Sequence, residues 1–338
     1  MASNERKTPE WLLVDQLVAF GRARAISVIA ELGVADQIAA GHTGLAELAA
    51  AVGADEQALS RVLRQLVSID ILTWDPTAGY GLTAQGELLR SDVPGSQHAT
   101  AVMMGSDYMF QTWGQLAHSV RTGQDAFTAA HGKPLFDYLA EHPADNAGFD
   151  AAMAAQESVF TELAAAYPFT DGQHLIDLGG GRGTLLTEVL TAHPGLRGTV
   201  FDAPATAERG RGRLAAHPLA GRLDFQGGDL FEGVPAGGDV YLLSRILHDW
   251  TDEQCLTILR HCRSVMKEHA RLLVLERVVP DDFSPGLAID WDVRMLAITG
   301  GRERTSSEYR ALFEQAGLVE ADRLHLGGET DVLVARTA

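Results

Sequence analysis

The spacing of apolar positions changes rhythm along the chain. From residue 10 to 105 they recur at helical intervals in WLLVDQLVAFGRARAISVIAELGV, LAELAAAVG and DEQALSRVLRQLVSID, with turn residues between. That period predicts helices with one buried face, and Asp55 stands where the third of these helices needs an N-cap. One ribbon interrupts them, ILTWDPTAGYGLT, which reads as a hairpin turning through Asp75 to Gly79. Residues 106–168 are again helical in pattern, broken near Gly132–Lys133–Pro134 and at His142–Pro143, so they predict a bridge of helices, not a flexible linker. After Pro168 the runs become short and strand-like, with helical segments between: HLIDLG (174–179), GTVFD (198–202), RLDFQ (222–226), DVYLLSR (239–245) and RLLVLER (271–277). Strands alternating with helices predict an α/β fold, a Rossmann-like doubly wound and mainly parallel sheet.

Three parts follow: a mainly helical front (1–105), the bridge (106–168) and the α/β domain (169–338). A chain of 338 residues with 46% apolar composition is long enough for more than one core. The front, short helices plus a hairpin, resembles a winged helix, which raises DNA binding as a function. Charge argues against it. The chain carries a net −18 with Lys7, Lys133 and Lys267 as its only lysines, and residues 1–100 hold twelve Asp and Glu against seven Lys and Arg. The helix that would enter a groove offers Arg61 and Arg64 against Asp55 and Glu56, too little to neutralise phosphates. A winged-helix regulator sensing a small ligand is disfavoured on the same ground. No run reaches the ~18 apolar residues of a membrane span, and MASNERKTPE lacks a signal-peptide core, so a cytoplasmic protein without membrane partners is expected. Cys255 and Cys262, two helical turns and ~10 Å apart, are expected as buried free thiols.

The first strand runs into DLGGGRG, Asp177 to Gly183, and a helix-like TLLTEVLTAH follows. In sheets of this kind ligands bind beyond the carboxyl ends of the strands, and glycines there let the backbone approach a nucleotide-like cofactor. The dinucleotide fingerprint requires a third glycine where Thr184 stands, after Gly179 and Gly181, which leaves NAD as a runner-up. Asp202 closes the second strand, where a carboxylate can accept both hydroxyls of a ribose. Asp229 follows the third strand, with Leu230 and Phe231 beside it to cover an adenine ring. Either aspartate could instead serve as a turn or helix cap. No cluster has metal-ligand spacing, and no P-loop lysine or nucleophile-elbow serine is present.

Taken in order, DLGGGRG, FDAP, GDLF, LHDW and GGRERT resemble the S-adenosylmethionine-dependent O-methyltransferases related to plant caffeate methyltransferases, and most closely the bacterial members that methylate aromatic natural products. The resemblance covers nearly the whole chain. It implies a homodimer formed through the front domain, S-adenosylmethionine as methyl donor with S-adenosylhomocysteine as product, no metal, and a small aromatic acceptor. It also implies that Gly179 and Gly181 face the donor's amino-acid portion, Asp202 its ribose, and Asp229 with Leu230 and Phe231 its adenine. Plant members carry a lysine four residues before the catalytic histidine; here Ser244 stands there, followed by Arg245, and either could contact the cofactor.

His248 lies past the fourth strand, on the edge that carries the glycine loop, and Thr251 with Gln254 forms a capping-box pattern that starts the next helix just after it. It is either a packing residue or a base. As a base, its imidazole (ordinarily ~6.5) would take the proton of a phenol (~10) as the bond to methyl forms. The resemblance supplies Glu276 and Glu303 as its flanking carboxylates. Against that stand a salt bridge from Glu303 to a neighbouring arginine and a surface position for Glu276. Met153, Trp291 and Met295 are apolar candidates for the acceptor pocket, and Asp249 could bond a second acceptor oxygen. A relative that keeps the cofactor site but performs hydroxylation, decarboxylation or rearrangement is the nearer rival function.

Overall fold

In the computed structural model of the protein, which describes residues 8–155, 158–214, 217–282 and 284–338, Asp55 caps the helix Glu56–Ser68 by accepting the Ala58 N–H at 2.8 Å. Leu59, Leu63 and Leu66, one face of that helix, are buried against Ile29, Val34 and Leu48 from the helices before it. The hairpin follows as β1 (Leu72–Asp75) and β2 (Gly79–Leu82), with Trp74 opposite Tyr80. Asp75 accepts the N–H groups of Thr77 and Ala78 to make the turn. These helices and the hairpin belong to a first compact unit, drawn from Met1–Gln111 and Phe136–Gln156. Its long first helix, Pro9–Glu31, leaves Trp11, Leu12, Leu13, Val14, Leu17, Val18 and Phe20 exposed.

The second unit, drawn from Thr112–Leu135 and Glu157–Ala338, holds the sheet. Residues 106–168 are therefore shared out between the two units. The five expected strands are all present: β3 (His174–Leu178), β4 (Arg197–Asp202), β5 (Leu223–Gly227), β6 (Val240–Ser244) and β7 (Arg271–Val279). They pair in parallel in the order β5-β4-β3-β6-β7. Beyond them lies a ribbon that the apolar spacing did not announce, β9 (Leu318–Leu326) and β10 (Thr330–Thr337), with β10 antiparallel to β7; a two-residue strand, β8 (Arg304–Thr305), pairs with the end of β7.

The central parallel strands are rich in apolar residues because both of their faces are covered. Leu175, Leu242 and Leu273 point into one core with Leu163, Leu186 and Val189. Ile176, Tyr241, Leu243 and Val274 point into the other, with Ile258, Tyr309 and Phe313. This alternation is the period-two geometry of a strand buried on both sides. Cys255 and Cys262 sit in the second core as free thiols, each pushed up to about 12 by burial, so they stay protonated and unreactive. Among the described residues no helix is long and apolar enough to cross a membrane.

Candidate active site

Strand β3 lies between β4 and β6: the chain runs outward from it through β4 to β5 and then crosses back to β6 on its other side. A crevice opens at such a switch point, beyond the carboxyl ends of the strands. The glycine loop turns there: Gly179, Gly181 and Gly183 have φ of +72°, +57° and +81°, the left-handed region that side chains disfavour. A Cβ on Gly179 would also lie 2.5 Å from the Ile246 side chain, and one on Gly180 would lie 2.3 Å from the Asp177 carboxylate.

Asp202 binds the loop directly. Its Oδ2 accepts the Gly181 N–H at 2.8 Å, while its Oδ1 accepts the Ala203 N–H at 2.7 Å. Asp229 is exposed and accepts the Phe231 N–H at 2.8 Å. The turn-and-cap role considered for both acids is thus real, yet each carboxylate oxygen keeps a further lone pair for a ligand. Leu230 and Phe231 are half-buried against the second core, and Phe231 meets Trp250 edge-on at 4.8 Å.

Asp177 was not singled out by spacing. It is 1% exposed, neither of its oxygens has a hydrogen-bond partner, and burial followed by the charge of Asp202 pushes it up to about 7. An acid inside the apolar run HLIDLG was the available signal. Two carboxylates beneath a glycine cradle, with hydroxyl acceptors and two apolar side chains farther along the edge, fit a cofactor that carries an ammonium group, a ribose and an adenine.

At the end of β6, Ser244 is half-buried. Arg245 takes φ +56°, unusual for a residue with a side chain, and its guanidinium lies 5.6 Å over the Phe160 ring. The backbone then makes a single 3-10 turn, Leu247–Asp249, before Thr251 caps the helix Asp252–Val265 through the expected box with Gln254.

His248 sits in that turn, 9% exposed, and two carboxylates converge on its Nδ1: Glu303 Oε1 at 3.1 Å and Glu276 Oε2 at 3.3 Å. Glu276 is wholly buried and no surface acid; its Oε1 accepts the N–H groups of Ile246 and Leu247 at 3.0 and 2.8 Å. Glu303 is not taken by the arginines on either side of it. Arg302 pairs with Glu308 and Arg304 with Asp252. Nε2 of His248 faces away from the glutamates, with Asp249 Oδ1 3.9 Å from it.

Charges decide the state of this cluster. Burial works against an imidazolium at His248, but the carboxylates of Glu276, Asp249 and Glu303 outweigh it and raise the group to about 9. Burial pushes Glu276 up from the ordinary carboxylate range, and the two buried acids repel each other. Burial raises Asp249 as well. One nitrogen of His248 and oxygens of the two glutamates lie within 4.8 Å of one another, the one group among the described residues with the spacing to hold a metal ion.

Of the acceptor candidates, Trp291 lies between two guanidinium groups, Arg277 at 4.4 Å and Arg294 at 4.3 Å from its ring, and Met295 is buried on the same helix, Leu287–Ile298. Met153 lies in the first unit, half-buried on the helix Pro143–Ala154.

The chain is similar to known proteins along most of its length. Residues 113–319 match the O-methyltransferase domain and residues 14–92 the O-methyltransferase dimerisation domain. The 3-amino-4-hydroxybenzoate 4-O-methyltransferase of Streptomyces cremeus is 40% identical over 96% of this chain and 89% of its own length. A solved mitomycin 7-O-methyltransferase superposes with a TM-score of 0.88 at 36% identity, covering 97% of this chain and 98% of that one. An O-methyltransferase from neocarzinostatin biosynthesis, solved with S-adenosylmethionine and 2-hydroxy-5-methyl naphthoic acid, superposes at 0.79 with 36% identity over 94% and 96% of the two chains.

Proposed function

The chain belongs to the S-adenosylmethionine-dependent O-methyltransferases, and from that premise we propose that it works as a homodimer which methylates a hydroxyl on a small aromatic natural-product intermediate, with His248 as general base. The observation that carries the role of His248 is the meeting of Glu276 and Glu303 on one nitrogen of a buried imidazole.

Bound S-adenosylmethionine supplies a methyl group on a sulfonium, open to in-line displacement by an oxygen nucleophile. The glycine loop, Asp177 and Asp202 hold the amino-acid and ribose portions, and Asp229, Leu230 and Phe231 hold the adenine. A neutral phenol is a poor nucleophile, so the work left to the protein is to receive its proton. Glu303 and Glu276 fix Nδ1 as the donor nitrogen, which turns the lone pair of neutral His248 at Nε2 toward the acceptor. As the proton arrives, both carboxylates stabilise the imidazolium. Their effect brings the imidazole closer to the ~10 of a phenol, which makes proton transfer less uphill than to an ordinary histidine. Asp249 would accept from a second acceptor hydroxyl, while Trp291 and Met295, on one helix, would serve as apolar wall.

An aromatic acceptor is supported by the names of the relatives, which act on a hydroxybenzoate and on mitomycin. The homodimer is supported by the exposed apolar side chains of Pro9–Glu31, of which Val14, Leu17, Val18 and Phe20 fall within the matched dimerisation segment. The test is to incubate the protein with methyl-labelled cofactor and a panel of hydroxybenzoates, hydroxynaphthoates, phenazines and quinones, and to look for the mass of one added methyl. Transfer to a phenolic member is expected. Consumption of an acceptor by hydroxylation, decarboxylation or rearrangement, without methyl gain, would favour the rival chemistry. Light scattering in solution should give twice the chain mass.

A further inference from the structure

The segment 301–305 grips the His248 turn along its whole length. A Cβ on Gly301 would lie 1.9 Å from the His248 carbonyl oxygen, so only glycine lets the strands of chain pass this closely. The next residue donates its N–H from Arg302 to that same carbonyl at 2.8 Å, and the next, Glu303, reaches Nδ1. Arg304 completes the grip. Its side chain is 0% exposed, Nη1 donates to the Leu247 carbonyl at 2.8 Å and Nη2 to the Trp250 carbonyl at 2.8 Å, while Nε donates to Asp252 at 2.9 Å. Those two carbonyls bracket His248 and Asp249 in the chain.

A guanidinium is planar and presents its donors at fixed spacing, so a single rigid group sets the distance between the two ends of the turn. Cys255 adds a second, weaker hold on the Leu247 carbonyl at 3.2 Å. Burying a cation is costly unless it is fully bonded, and apolar side chains of equal volume would serve stability at least as well. We propose that Arg304 is the positioning residue of the reaction: it holds the turn so that His248 meets the two glutamates on one side and the acceptor oxygen on the other. This rests on the reading of His248 as the base.

The experiment compares Arg304→Lys and Arg304→Gln in two backgrounds, wild type and His248→Ala, measuring kcat, acceptor KM, cofactor Kd and the pH profile. A lysine keeps the charge but can serve only one of the two carbonyls. In the wild-type background kcat is expected to fall ~10-fold for lysine and on the order of 100-fold for glutamine, as misplacement of a reacting group by ~1 Å does, with KM and Kd within ~3-fold. In the His248→Ala background the same substitutions should change the residual rate by less than ~2-fold, because Arg304 acts through a side chain already removed. Should Arg304→Gln fail to fold, Arg304→Lys and Asp252→Asn carry the test, since Asp252 is half-exposed and its loss frees one edge of the guanidinium. Equal losses in both backgrounds, or a wild-type kcat and pH profile in folded Arg304→Lys, overturn the inference. Wild-type turnover in His248→Ala alone would overturn the reading of the base, and this inference with it.

Discussion

Two pairs of acids sit at the carboxyl edge of one sheet, and they are built in opposite ways. Asp177 and Asp202, at the ends of β3 and β4, lie near each other with a glycine loop over them; the charge acting on buried Asp177 is that of another acid. Glu276, within the second half of β7, and Glu303, just before β8, have an imidazole between them. The first pair is complementary to a cation that arrives with a ligand. The second is complementary to a cation that forms within the protein when a proton is delivered. On the proposed reading one pair would serve binding and the other proton transfer, and substitutions at the two should leave different kinetic signatures.

The largest effect is expected at the histidine. His248→Ala should lower kcat by roughly 10²-fold or more while leaving cofactor Kd unchanged in calorimetric titration, the loss typical of a removed general base. Rates at the wild-type level would remove His248 from the mechanism. Asp202→Asn should do the reverse. Replacing a charged acceptor costs about 1.5–3 kcal/mol, so cofactor Kd should rise ten- to hundredfold with kcat at saturation nearly kept. A fall in kcat with unchanged Kd would mean that the two edges are not separable in this way.

The pH profile sharpens the contrast. A base must be neutral in the free enzyme, and the carboxylates hold His248 protonated up to about 9. kcat/KM should accordingly rise with pH through a limb well above the ~6.5 of an ordinary imidazole. Glu303→Gln removes one of the charges that favour the imidazolium, so its limb should move to lower pH, and the plateau should fall about tenfold as proton affinity and orientation are both lost. A limb that stays in place would mean that Glu303 does not act on His248 charge.

How far the sequence went follows the same division. The proposed cofactor edge is local: a strand, its glycines and its acids lie close together in the chain, so spacing alone could single out DLGGGRG, Asp202 and GDLF as candidates while leaving turn or cap duty open for the two aspartates. Even there Asp177 was passed over, because an acid within an apolar strand has no spacing of its own and shows its isolation only when both cores are closed around it. The histidine edge joins residues 55 positions apart, His248 and Glu303, and only their resemblance to a known family brought them together beforehand. The salt bridge weighed for Glu303 fell to contacts that no pattern shows, Arg302 with Glu308 and Arg304 with Asp252, and the surface position weighed for Glu276 fell to its burial. β9 escaped notice because it is an amphipathic edge strand whose apolar positions are diluted by Glu320, Asp322 and Arg323.

The smallest expected effect is that of metal removal, and it probes the same carboxylates. One nitrogen and the two glutamate side chains are close enough together to ligate a divalent ion. Their other bonds oppose it. Oε1 of Glu276 already accepts two backbone N–H groups, and both carboxylates bear on the single nitrogen Nδ1, which would have to surrender its proton to become a ligand. A second cation is also already close by: burial lowers the Arg277 guanidinium, while the charges of Glu303 and Glu276 act in the other direction, which puts it within their field. A divalent ion would thus have to displace the proton that these carboxylates hold on His248 up to about 9, and would add its charge beside the half-buried Arg277 guanidinium. Dialysis against a chelator should therefore leave kcat and its pH limb unchanged within about 1.5-fold, a change too small to reflect loss of a ligand contact. Loss of turnover that a divalent ion restores would show that the glutamates hold a metal instead of an imidazole, and the contrast between the two acid pairs would have to be redrawn.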